Sequence, residues 1–318
     1  MRAFLLTSIA LLINAAPALG WGCEGHQIVA LIARAHLTPA ASAAVDKLLA
    51  ENPIDPAMRQ FCKEKTGDPM ADTASWADDV KGAEKTAIWH YIDIPLTEKG
   101  PSGSLAAWCP PIGPPVAGPT PGKDRPGCVT NAIEYEWAIL LDTSRTGPER
   151  ATALRYLIHF VGDMHNPLHS SDNDDQGGNC TTMKFYDEDR PANLHSVWDY
   201  KLIEHELQTK KETVPVYAKA LDRQYGDRWT AWGAAIVDPT AWAWEGNKVA
   251  QTVTYGDLKP AIPVEQPVPH TDCSAEREKV SALHIVVADD YFNQTIPVIG
   301  EQLAKAGYRL ADLLNRTF

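Results

Sequence analysis

Histidine and aspartate recur in this chain at spacings that suit metal coordination. His159 and Asp163 lie four positions apart in a run with helical periodicity, which puts both side chains on one face, offset by about 40°. His195 and Asp199 repeat the spacing, and His169 follows Asp163 just past Pro167, where the chain can turn back toward the same centre. Upstream stand Ser75-Trp76-Ala77-Asp78, His90-Tyr91-Ile92-Asp93 and Trp21-Gly22-Cys23-Glu24-Gly25-His26. Any one of these histidines alone is more often a surface or capped core residue; as a set the odds reverse. Imidazole and carboxylate suit zinc, and catalytic zinc sites keep a position for a water whose pKa falls to about 7. His26, His90, His159, His169 and His195 with Asp78, Asp163 and Asp199, plus the Trp21 amino and carbonyl groups, outnumber the needs of one zinc and suit a multi-zinc cluster.

Helices must position these residues. Apolar spacing predicts them over residues 24–36, 40–49, 131–141, 148–164, 197–207, 217–225, 239–251 and 296–315, with Asn166-Pro167 stopping the fourth. The only strand signals are weak, at 213–216 and 252–255, and Pro215 weakens the first. The expected fold is therefore all-α, one domain over residues 21–318, with long loops and at most a small β ribbon. Eight prolines between Pro101 and Pro126 exclude a long helix there, and 172–190 reads as a second irregular segment. No internal repeat and no glycine-rich phosphate loop is visible.

Residues 1–20 carry one cation, Arg2, then an apolar run to about Ala18 and small residues at Ala18 and Gly20. They read as a cleavable secretory signal, which leaves Trp21 as the first residue of a secreted or periplasmic protein. The run falls short of the roughly 20 apolar residues a bilayer span needs, and no membrane or protein partner is expected. The chain has net charge −12, from 29 cations against 41 acids, and loss of Arg2 makes it more acidic. Such a surface tends to repel nucleic acid. All six cysteines follow residue 20, an even number that suits disulfides in an oxidising compartment, and no Cys-x-x-Cys pair suggests a zinc ribbon. Cys109 with Cys128 is the preferred pair because the two bracket the proline-rich loop; Cys180 with Cys273 and Cys23 with Cys62 follow.

Taken in order, these motifs resemble the trinuclear-zinc single-strand nuclease and 3′-nucleotidase family (nuclease S-one/P-one), a relative of zinc phospholipase C. The resemblance runs from Trp21-Gly22 and His26 through Ser75-Trp76-Ala77-Asp78 and Gly162-Asp163-Met164 to the tail Ala304-Lys305-Ala306-Gly307-Tyr308-Arg309-Leu310-Ala311. It implies one zinc on Asp78, His90 and His159 with Asp163 bridging, and a second on His169, His195 and Asp199. It implies a third on the Trp21 amino nitrogen and carbonyl oxygen, His26 and the shared Asp163. It further implies in-line hydrolysis of single-stranded DNA and RNA, and of 3′-nucleotides, to 5′-phosphorylated or dephosphorylated products. Asp78 would orient the attacking water and Lys81 would stabilise transition-state charge, although lysine lacks the bidentate fork of arginine and its plain alternative is a solvated helix cation. Tyr91 would stack on a base, Asp93 would bond the base edge, and Asn179, after Gly177-Gly178, would line the groove. Core packing is the plain alternative for Tyr91.

The acidic charge then fits a local attraction. Three zinc ions supply about six positive charges, enough for one phosphate without a basic face, which suits a footprint of one or two nucleotides. The rival readings are a zinc phospholipase C and a non-catalytic secreted zinc-binding protein. Asp199, where the lipase branch carries glutamate, the cysteines and the Ser75–Asp78 motif stand against the first, and the complete ligand set with Asp78 stands against the second. His36, His165, His205, His270 and His284 read as structural or solvated.

Overall fold

Thr38 accepts a hydrogen bond from the Ala41 amide and Pro39 stands in the first turn, so the chain leaves α1 (Cys23–Ala35) and enters α2 (Pro39–Glu51) almost at once. The computed structural model describes residues 21–318 except 59–60, 102–104, 113–123, 234–236 and 266–272. The signal reading of residues 1–20 lies outside the described residues, as do parts of the proline-rich loop. Next come α3 (Trp76–Glu84), α4 (Val129–Leu141) and α5 (Gly147–Asp163), whose start is fixed by a reciprocal Thr146–Glu149 capping box.

A three-stranded sheet interrupts the helices: β1 (Thr182–Phe185) pairs antiparallel with β2 (Ala192–Asn193) and parallel with the distant β3 (Val286–Val287). The turn α6 (Leu194–Ser196) runs through a π-turn, Val197–Lys201, into α7 (Leu202–Lys210). Then follow α8 (Val214–Tyr225), α9 (Trp229–Gly233), α10 (Pro239–Val249), α11 (Ser274–Ser281) and α12 (Asp289–Thr317).

The fold is mostly helical, as expected, but its strands are not the expected ones. Residues 213–216 open α8, because Pro215 falls in the first helical turn, where its missing N–H costs nothing. Residues 252–255 fall in and after a second π-turn, Ala250–Thr254, where buried Thr254 and Tyr255 pack inward and tertiary contact overrides β-branched propensity. β1 lies inside the stretch 172–190 read as irregular, because its partners β2 and the distant β3 supply the pairing, and β2 follows just after that stretch. The last helix begins at Asp289 rather than 296 and carries Pro297 inside, held by the buried Tyr291, Phe292, Thr295 and Ile299.

The core gathers around α5, which is buried on almost every side from Ala151 to Asp163, with α4, α1 and α12 packed on it. Phe160 and Trp198 are fully buried, and truncating such a side chain to alanine costs about 3–5 kcal/mol. All six cysteines pair as preferred: Cys23–Cys62, Cys109–Cys128 and Cys180–Cys273. Among the described residues no helix is long and apolar enough to cross a membrane.

Candidate metal centre

The C-terminal turn of α5 supplies His159 and Asp163, four residues apart and both fully buried. Asp163 is the convergence point. Its Oδ2 lies 2.9 Å from His90 Nδ1 and 3.1 Å from His159 Nε2, while Oδ1 lies 3.4 Å from His26 Nε2 and 3.7 Å from His169 Nδ1. Asp78, near the start of α3, places Oδ1 3.8 Å from His90 Nδ1 and Oδ2 3.7 Å from His159 Nε2. A further group stands beside it, with His195 Nε2 3.2 Å from Asp199 Oδ2 and the His169 and His195 rings stacked at 5.1 Å.

Each imidazole is aimed by a fixed partner. The Nδ1 atoms of His159, His169 and His195 meet the carbonyls of Ala74, His90 and Gly177 at 2.7, 2.7 and 2.6 Å. A carbonyl can only accept, so each Nδ1 carries a proton and Nε2 is left as the ring atom that faces the centre, the arrangement that orients ligands at metal sites. His90 is turned the other way, with Nδ1 facing Asp163 and His159. His26, on α1, stacks on His159 with ring centroids 3.9 Å apart. Gly162 makes room for it, since a Cβ there would meet His26 Nδ1 at 2.8 Å.

The electrostatics follow from burying imidazoles and carboxylates against one another. Burial depresses His26 to about 4, with the neighbouring His159 adding to it. Burial alone would depress His159 too, but Asp163 and Asp78 outweigh it and hold that ring at about 8. Burial, reinforced by Asp163, pushes Asp199 well above the usual carboxylate range. Both His26 nitrogens, His90 Nε2 and Asp163 Oδ1 are buried without a hydrogen-bond partner, which is costly for groups that a metal would satisfy. Three groups of side chains have ligand atoms close enough together to hold metal ions: His26, Asp78 and His159; His90, His159 and Asp163; and His169, His195 and Asp199. The imidazole and carboxylate donor set fits zinc. The third group is the expected His169, His195 and Asp199 set and the second lies within the expected Asp78, His90, His159 and Asp163 set, whereas His26 falls with Asp78 and His159 as well as near Asp163.

The other expected residues are more dispersed. Trp21 is fully buried beside Gly25 and Gly162, and its indole nitrogen has no partner. Lys81 is buried, with Nζ 3.0 Å from Asp78 Oδ1, so it is no solvated helix cation. Tyr91 is half-buried, and burial, then Asp93, raises its phenol. Asp93 keeps an edge open to solvent, although the surrounding protein, then Asp172 and Asp175, raise its carboxyl to about 7. Asn179 is half-buried and donates to Gln176 O at 2.9 Å.

Spacing did not expose the supports. Asp175 is buried and accepts from Thr181 Oγ1, the Gly178 amide and Tyr255 Oη, tying the glycine pair to the π-turn region. Arg309, in the tail motif, reaches His165 Nε2 at 2.8 Å and Glu245 at 2.8 Å, which gives that buried histidine its structural role. The Asp172-Asn173-Asp174-Asp175 run was the one signal for the first network, and nothing in local sequence pairs Arg309 with His165.

A family profile described as S1/P1 Nuclease matches residues 21–318. The chain is similar to Endonuclease 4 of Arabidopsis thaliana, at 30% identity over all of this chain and 94% of that protein. It is also similar to Nuclease S1 of Aspergillus oryzae, at 29% over 99% and 98% of the two chains, and to Nuclease P1 of Penicillium citrinum, at 26% over 93% and 97%.

Proposed function

Since the chain belongs to the S1/P1 nuclease family over residues 21–318, we propose that it is a secreted zinc-dependent endonuclease. It cleaves single-stranded DNA and RNA to 5′-phosphorylated products and removes phosphate from 3′-nucleotides. The observation that carries this reading is the buried Asp163 carboxylate, which faces four imidazoles within 3.7 Å.

Three zinc ions are proposed, held by Asp78, His90 and His159, by His169, His195 and Asp199, and by Trp21 with His26, with Asp163 shared. Bound zinc supplies Lewis acidity toward phosphoryl oxygen and acidifies water toward a pKa of about 7. The protein does the rest. Asp78 would orient the attacking water, and Lys81, whose ammonium donates to Asp78 Oδ1 at 3.0 Å, would stabilise the charge that grows on phosphorus. Tyr91 offers a face for base stacking, worth about 1–3 kcal/mol for any base, and the solvent-open Asp93 can bond the base edge. Asn179 lies beside the glycine pair whose carbonyl aims His195. Burial of the His and Asp cluster, with Lys81, excludes bulk water and strengthens the interactions within it.

The test is zinc content together with Asp163→Ala. The wild type should carry three zinc ions per chain, and the variant should lose zinc and at least about 100-fold in hydrolysis of a 3′-nucleotide, since even second-shell changes cost 10–100-fold. A variant with full zinc content and full activity would overturn the assignment.

A further inference from the structure

We propose that Asn166 is a positioning residue that ties the His169/His195/Asp199 group to the end of α5; this rests on the metal-centre reading above. Asn166 is fully buried and sits between Asp163 and His169 in sequence. It touches three of the proposed ligand residues. Its backbone N–H donates to Asp163 O at 2.9 Å, its carbonyl accepts from the His169 amide at 2.9 Å, and its side-chain Nδ2 donates to Asp199 Oδ1 at 2.7 Å.

The side chain has one orientation available. Leu168 N–H can only donate, and it meets Asn166 Oδ1 at 3.1 Å. The amide nitrogen must therefore face Asp199. That bond occupies one carboxylate oxygen and leaves the other, Oδ2, turned to His195 Nε2 at 3.2 Å. At the same time Oδ1 caps the short turn Pro167–His169, and Pro167 holds Asn166 in extended geometry with φ −81° and ψ 119°. One buried amide thus sets both the turn that presents His169 and the rotamer of Asp199. Aspartate at this position would face Asp199 with like charge, and alanine would free the carboxylate and uncap the turn.

The experiment measures zinc per chain and the kinetics of zinc transfer to a colorimetric chelator for the wild type, Asn166→Ala, the nearly isosteric Asn166→Asp, and Asp199→Ala. Asp199→Ala identifies the zinc equivalent that belongs to this group. In both Asn166 variants that same equivalent should transfer about 10–100-fold faster, with the other equivalents unchanged. The melting of the metal-stripped chains should stay close to wild type for at least one of them. Release unchanged in both variants, or acceleration of all equivalents together with a lower apo melting temperature, would overturn the positioning role. Should Asp199→Ala remove no zinc, the metal-centre reading itself fails and the proposal falls with it.

Discussion

The backbone N–H of Gly22 donates to the main-chain carbonyl of Asp199 at 2.7 Å. The start of α1, with Trp21 and His26, is therefore fastened to the π-turn that carries Asp199, where the Leu202 N–H reaches back five residues to Val197 O. This one backbone bond joins the proposed Trp21/His26 zinc position to the His169/His195/Asp199 position.

Gly22→Ala should disturb that junction. A Cβ on Gly22 would stand 2.7 Å from Tyr200 Cβ and 3.4 Å from Asp199 O, backbone and near-backbone atoms that cannot swing aside. Overpacking of this kind costs about 1–3 kcal/mol. Lower melting temperature and reduced zinc content are expected; a variant that melts and binds zinc like the parent contradicts the coupling.

Lys81→Ala should lower kcat/KM for a 3′-nucleotide by about 10–100-fold, equivalent to roughly 1.4–2.8 kcal/mol. It removes the cation held 3.0 Å from Asp78, in a site from which water is largely excluded. Lys81→Arg should recover only part of the loss, because its planar head must enter a space shaped around an ammonium. Steady-state kinetics decide, and unchanged kcat/KM in the alanine variant removes Lys81 from the chemistry.

Glu136 on α4 supplies a pH prediction away from the centre. Burial, only partly offset by Arg125, raises its carboxyl from 4.5 to about 8. Between those values the unfolded chain has released the proton while the folded one retains it, so stability falls as pH rises, by about 1.4 kcal/mol per pH unit for one proton. The contribution is fully favourable below about 4.5 and its loss is complete above about 8. Glu136→Gln cannot ionise, so its melting temperature should exceed the parent's increasingly from pH 5 to 8; parallel melting curves across that range would refute the assignment.

Chelation should destabilise the fold reversibly. Zinc binds only where the ligands are assembled, and a site occupied at 100 times its Kd contributes about 2.7 kcal/mol. Scanning calorimetry should show a lower melting temperature after chelation and its recovery on zinc addition, with magnesium unable to substitute because it prefers oxygen ligands. An unchanged transition after complete zinc removal would show that zinc does not hold the centre together.

Much of this was legible in the sequence because local rules govern it. The four-residue spacings of His159 with Asp163 and His195 with Asp199 map directly onto helix geometry, and Pro167 marks the turn that returns His169. Cys109 and Cys128 paired as their shared loop suggested. What stayed hidden depends on tertiary contact. β1 pairs with β3 about a hundred residues away, both π-turns follow packing rather than propensity, and the burial of Lys81 is set by neighbours that no helical periodicity names. Residues 213–216 misled because Thr and Val favour strands, whereas Pro215 suits a helix start equally well.

The most direct measurement is hydrolysis by the purified chain beginning at Trp21: release of acid-soluble 5′-nucleotides from single-stranded DNA and RNA, with and without chelator, beside hydrolysis of phosphatidylcholine. The account predicts nucleotide release that chelator abolishes and zinc restores, with no lipid cleavage. Lipid cleavage without nucleotide release, or inactivity on both by fully zinc-loaded protein, would contradict it.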